Sequence, residues 1–437
     1  MNDPAASGRA ILRREVGLPG AVLLGLGSMV GTGVFVSVAI AAGVAGPAVL
    51  TATALAALLA AANGLSSAQL AAAHPVSGGS YEYGYRLLTP VLGFSAGWMF
   101  LLAKSASAAT AALGLSGYLL DWFGVGHAAL RTGTAAAAAL AVTALVAGGI
   151  RRSNAGNALL VGLTLATLAA LAVFALPVVL ADGGARLTPL VPPVGEGGAG
   201  ALLHGAALMF VAFTGYGRIA TLGEEVRDPR HVIPRAIVVT MGVVSLLYLA
   251  VATAGVGVLG ADAFAASARG TAAPLEAVAR ALEVPLLTGA VAVAAVAAMA
   301  GVLLNLVLGL SRVVLAMARR GDAPAALARV HAGRGSPVAA VWACGALVTA
   351  IALVGEVRAT WSFSAFTVLV YYAITNLAAL RLPAADRLFP RWIPAAGLVG
   401  CLALAFRVEP GYWLTGGGLL ASGLAVRALA RRTGHGG

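Results

Sequence analysis

The residues of this chain that could hold a polar solute are few, and they stand out against an apolar background. Residues 27–35 read GSMVGTGVF inside a run from Leu18 to Leu59 that carries no charge. Gly25, Gly27, Gly31 and Gly33 are each unfavourable in a helix by roughly 1 kcal/mol relative to alanine, so an apolar helix is expected to break here. A second stretch, FVAFTGYG at 210–217, has the same character. Unwound backbone at that depth survives only where it lines a cavity. Its freed N–H groups and helix-end dipoles bind a carboxylate. Two bases, Lys104 and Arg218, also lie within apolar segments, and ionisable residues in such positions are functional candidates. Metal chemistry has no support: the six histidines form no ligand-spaced cluster, and Cys344 and Cys401 sit apart in apolar segments. Glu224, Glu225 and His231 do not share a helix face with metal-ligand spacing.

The elements that must position these residues follow from composition. Of 437 residues 60% are hydrophobic and 10% charged, with mean hydropathy +0.93; a soluble chain would be about one-quarter charged. Uncharged stretches of the roughly 20 residues that a helix needs to cross a bilayer recur from end to end. The chain is therefore expected to be an all-α polytopic membrane protein. A β-barrel would show short alternating segments instead. Arg9, Arg13 and Arg14 precede a first apolar segment too long for a signal peptide, so none is expected. Charged or Pro/Gly-rich interruptions divide the chain into twelve segments, near 18–44, 46–70, 91–119, 131–149, 155–180, 200–223, 235–259, 285–317, 337–355, 359–380, 391–406 and 411–428. With the N-terminus inside, the large majority of the 28 basic residues, Arg312 among them, fall in inner loops and termini. The positive-inside rule then places both termini in the cytoplasm of a plasma (inner) membrane protein. The net charge of +12 is accounted for by orientation and anionic lipid, without a nucleic-acid partner.

Broken segments one and six fall at corresponding places in two five-segment halves, the signature of an inverted-repeat transporter. The expected organisation is a tail at 1–17, a first half at 18–180, a second half at 200–380, a final helix pair at 391–428 and a tail at 429–437.

Four stretches carry a family resemblance: GLGSMVGTGVFV (25–36), HPVSGGSYEYGYRLLTPVLGFSAGW (74–98), FVAFTGYGRIATLGEEVRDPRHVIPRAI (210–237) and LSRVVLAMARRGDAPAALARVHAGRGSP (310–337). They resemble the amino acid–polyamine–organocation (APC) superfamily of permeases, including bacterial amino-acid permeases and cationic amino-acid transporter-like members. The resemblance implies a five-plus-five inverted repeat with broken helices 1 and 6, plus two extra helices, and alternating-access transport. It also implies that Val30, Gly31, Thr32 and Gly33, with Phe213, Thr214, Gly215, Tyr216 and Gly217, surround the α-amino and α-carboxyl groups of an amino acid. N–H groups near Thr32 and Gly33 would take the carboxylate, and carbonyls near Phe213 to Gly215 the ammonium. Phe213 and Tyr216 are candidate gates, or ordinary helix packing.

All 16 acids fall in loops or at segment ends, so a cationic solute would find no buried counter-charge. The expected substrate is a zwitterionic neutral amino acid; an anionic one stays open, and the alternatives are an exchanger or a polyamine or cationic carrier. Arg218 could snorkel towards, or pair with, Glu224 or Glu225, or touch substrate at an inner gate. Lys104 is the only lysine and lies too deep to snorkel. Proton-moving members of the resembled family carry a lysine on the fifth helix; SNAGNALLVGLTLATLAAL (153–171) has none, with Thr164 near the matching place. Lys104 is expected either to supply that amine from another helix and make protons the coupling ion, or to be a structural lysine hydrogen-bonded to carbonyls or hydroxyls of neighbouring helices. Sodium is disfavoured because AAMAGVLLN (297–305) lacks adjacent hydroxyls. No cofactor is expected, and a membrane-embedded enzyme is disfavoured for want of a nucleophile–base pair or metal cluster at one depth.

Overall fold

The computed structural model describes residues 16–74, 78–149, 154–192, 197–220, 226–270, 272–331 and 336–433. A backbone in lipid must satisfy its own polar groups, and this one does so with helices; among the described residues the β contacts are isolated bridges, Val16 with Val226 and His331 with Ser336. The helices are α1 (Leu18–Met29), α2 (Val38–Ala45), α3 (Val49–Ala73), α4 (Ser80–Leu87), α5 (Pro90–Trp122), α6 (Ala128–Ala147), α7 (Asn154–Ala181), α8 (Gly198–Phe213) and α9 (Gly217–Ala220). They continue as α10 (Pro229–Leu259), α11 (Ala261–Gly270), α12 (Pro274–Ala281), α13 (Leu287–Arg319), α14 (Val338–Val354), α15 (Val357–Leu380), α16 (Trp392–Ala405) and α17 (Pro410–Thr433).

The fold is all-helical and polytopic, as expected, and each of the twelve apolar segments carries helix. Length and apolarity give eight membrane-crossing helices among the described residues, or nine with the pair Trp392–Ala405 and Pro410–Leu429, bent by 115°, against the expected twelve. The difference lies in short helices and breaks. Leu18–Met29 and Val338–Val354 fall below the length criterion, and Gly33–Ala73 is taken as one stretch of 41 residues. At about 1.5 Å per residue that stretch is roughly twice the hydrocarbon thickness, and Gly46, at φ +59°, turns the chain between its two arms.

Two packing groups emerge. In one, α5 lies against α13 and α15 while α6 lies against α14; in the other, α10 packs on α1 and α3, and α8 on α2 and α3. Many of the polar side chains inside them are bonded within the protein. Asn376 Nδ2 donates to Asn63 Oδ1 at 2.5 Å and to the Tyr372 carbonyl at 2.9 Å, tying α15 to α3. Thr53, Thr110 and Thr367 each donate to the carbonyl four residues before them, the usual way a hydroxyl is satisfied inside a helix.

Ion-pair clusters close the two ends of the bundle. On the face that holds Val16 and Val226, Arg427 of α17 donates to Asp322 Oδ1 at 2.9 Å, while Tyr81 and Tyr85 of α4 donate to Asp322 Oδ2. Arg320 pairs with Glu82 there and lies 4.5 Å from the Tyr85 ring centroid. On the opposite face Arg280 of α12 pairs with both Asp121 at the end of α5 and Glu276. Tyr118 donates to the Phe35 carbonyl at 2.7 Å and accepts from the Leu275 amide at 3.1 Å, joining that cap to the chain just past the first helix break.

Burial, and then the neighbouring Asp121 carboxylate, push the Glu276 carboxyl up from 4.5 to about 8. The folded protein therefore holds this proton more tightly than the unfolded chain. Its stabilisation is complete below pH 4.5 and is lost as pH rises through about 8. Thermal unfolding in detergent should show the wild type losing stability relative to Glu276→Gln across that window. Parallel curves for the two proteins would remove Glu276 from the cap's pH response.

Candidate functional site

The first break is made by the glycine-rich stretch. α1 stops at Met29, Val30 is extended at φ −80°, ψ 97°, and a π-turn over Gly33–Ser37 restarts the helix. The amides of Val34 and Phe35 both bond the Gly31 carbonyl, at 3.0 and 3.1 Å. Thr32 and Gly33 thus occupy the first positions of a helix, whose N–H groups have no intrahelical acceptor. The second break is a single 3₁₀ turn, Thr214–Tyr216, between α8 and α9.

Gly215 and Gly33 let the two breaks touch. A Cβ on Gly215 would fall on the carbonyl oxygen of Ser28 and lie 2.5 Å from Met29 Cγ. One on Gly33 would lie 2.7 Å from Ala212 Cβ and 2.8 Å from the Tyr248 hydroxyl. Tyr248, from α10, binds both breaks. Its hydroxyl lies 2.7 Å from the Met29 carbonyl and 3.0 Å from that of Ala212; its one proton serves one of them at a time.

A cavity of about 160 Å³ opens beside the breaks. Thr32, Gly33, Thr214, Gly215 and Gly217 line it, together with Lys104 and Arg218. Lys104 is buried midway along α5, and its Nζ donates to Thr214 Oγ1 at 2.8 Å; that hydroxyl in turn donates to the Val211 carbonyl at 2.7 Å. The Thr32 hydroxyl is buried with no partner among the described residues. Trp361, Tyr371 and Tyr372 supply aromatic walls, with the Trp361 indole fixed on the Leu208 carbonyl at 2.9 Å. The lining continues through Gly78, Gly79, Gly309 and the exposed Arg312, so the cavity extends towards the Val16 face. On the other side lie Phe35, Tyr118 and Leu275, all fully buried.

The remaining sequence-derived candidates sit elsewhere. Val30 and Gly31 do not line the cavity; Gly31 packs on Val302, whose Cγ2 would be 2.5 Å from an added Cβ. Phe213 is buried against Tyr248, ring centroids 4.9 Å apart, and Tyr216 against Tyr372 at 5.3 Å. In this conformation both are packing residues of the break. Glu224 and Glu225 lie outside the described residues. Asn305 lines the cavity and donates to the Gly27 carbonyl at 3.5 Å. Arg312, counted with the inner basic residues, lies near the end of α13, which runs on to Arg319. Tyr248 and Trp361 were missed; the available signal was a hydrogen-bonding aromatic within an apolar segment.

A polytopic helical bundle in which two broken helices meet at a polar cavity has the architecture of a solute transporter. The amino acid permease family model matches residues 16–413, and the chain belongs to that family. It is 41% identical over 421 residues to an uncharacterized transporter of Mycobacterium tuberculosis (96% of this chain, 92% of the relative). It is 30% identical over 364 residues to the branched-chain amino acid permease BcaP of Bacillus subtilis (78% and 75%). The crystal structure of MhsT in complex with L-phenylalanine shares the fold, with TM-score 0.62 over 92% of this chain and 100% of that one at 18% identity. The chain is an amino-acid permease by family, and its relatives are named as transporters and permeases.

Proposed function

We propose that this permease is a secondary active transporter that carries amino acids without net positive charge, coupled to protons, by alternating access. The observation that carries this reading is the cavity itself: the helix start at Thr32–Gly33, the turn at Thr214 and the Lys104 ammonium converge on it, and no Asp or Glu is among its described lining residues. The N–H groups of the helix start suit an α-carboxylate. Carbonyl oxygens at the second break suit an α-ammonium. Neutral amino acids meet these requirements, as in BcaP by its name and in MhsT by its bound L-phenylalanine, and so do acidic ones.

The positive-inside pattern supports the Val16 face as the cytoplasmic one. The cavity's extension towards that face, under the buried layer of Phe35 and Tyr118, then corresponds to an inward-facing state. Rocking of the α1–α3, α8 and α10 group against the α5, α13 and α15 group would expose the site to the other side.

Competition for uptake into proteoliposomes under an imposed proton gradient tests the charge rule. Arginine, lysine and putrescine should compete at least tenfold more weakly than the best amino acid without net positive charge, the loss of one charge-assisted contact being about 1.5–3 kcal/mol. A panel led by a dication would overturn the reading.

A further inference from the structure

We propose that Lys104 is the subsite for a second negative group on the substrate, so that the cavity selects amino acids with a side-chain carboxylate; this rests on the transport reading above. Lys104 is 8% exposed, and an ammonium has three protons to place. One goes to Thr214 Oγ1. That hydroxyl has already spent its own proton on the Val211 carbonyl, so it is an acceptor and nothing more. No carboxylate among the described residues reaches the lysine. Lys104 lines the cavity, whose other charged side chains among the described lining residues, Arg218 and Arg312, are also basic.

A second observation points to a ligand in the same place. Thr32 is 3% exposed, lines the cavity, and its hydroxyl has no partner among the described residues. With the α-carboxylate at the helix start beside Thr32 and the α-ammonium on the opposite carbonyls, a zwitterion leaves Lys104 uncompensated. A side-chain carboxylate completes the count: bound acidic amino acid and ammonium together are neutral. A buried charge needs such a partner, and a site built around one discriminates strongly against the isostere that lacks it.

Amides of the same shape provide the test. Binding of L-glutamate, L-glutamine, L-aspartate and L-asparagine is measured by calorimetry on the purified full chain. At least one acid should bind tenfold or more tightly than its amide. Lys104→Arg, which keeps the cation, should keep the preference, and Lys104→Gln, monodisperse and with a cooperative unfolding transition, should lose it. Equal or tighter binding of the amides to the wild type overturns the proposal, as does an acid preference that survives in Lys104→Gln. If the wild type binds neither these four nor any other amino acid, the transport reading itself fails and the subsite with it.

Discussion

Alanine at Gly215 is expected to weaken amino-acid binding by about tenfold to hundredfold. The added Cβ would land on the Ser28 carbonyl oxygen, 2.6 Å from that carbonyl's carbon and 2.5 Å from Met29 Cγ. Two of these three atoms are backbone, which no rotamer change can move. The break of α1 and the turn after α8 must therefore separate. Overpacking of this kind costs about 1–3 kcal/mol, and each 1.4 kcal/mol is a factor of ten in affinity. The separation falls on the site because the same two segments carry the donors and acceptors for the α-carboxylate and α-ammonium. It also stretches the contacts of the Tyr248 hydroxyl to the Met29 and Ala212 carbonyls. Gly242→Ala, on α10, where a Cβ meets nothing within 4 Å, is the matched control and should change affinity by no more than about twofold. Calorimetry on both variants beside the wild type decides it. A Gly215→Ala protein with native affinity would mean that the breaks need not touch for the site to form.

Both helix breaks were legible in the sequence because each is written locally, as glycines that an uninterrupted apolar helix would disfavour. The helices were legible for a similar reason, since length and apolarity in lipid leave the backbone one economical conformation. What the sequence could not give was the side of each helix that faces the cavity. The segments are apolar all round, so Phe213 and Tyr216 could be placed at the second break but not rotated towards solute or towards Tyr248 and Tyr372. The same uniformity hid Tyr248, whose role comes from a contact 219 residues away in the chain. Lys104 could be recognised as unusual from its depth alone. Its partner could not, because Thr214 is 110 residues further on and is one of many threonines in apolar surroundings.

Lys104→Ala is expected to abolish proton-driven accumulation of substrate while leaving exchange at saturating substrate. An uncompensated ammonium deep in the bilayer costs about 3 kcal/mol on insertion scales, on the order of a hundredfold in population. With substrate bound, its negative charge can offset the ammonium. Once substrate has left, the described cavity lining supplies no carboxylate to take its place, so the empty carrier returns readily only after the amine has released its proton. Each net cycle then moves one proton with the substrate. Alanine removes the charge and the proton together, and the empty carrier can return without either. In proteoliposomes at saturating substrate, with a pH gradient imposed, the wild type should concentrate the solute tenfold or more. The Lys104→Ala variant should only equilibrate it, while still exchanging labelled for unlabelled solute across the membrane. The exchange measurement separates lost coupling from a lost fold. If Lys104→Ala protein still concentrates solute under the proton gradient, the coupling proton binds elsewhere than on Lys104.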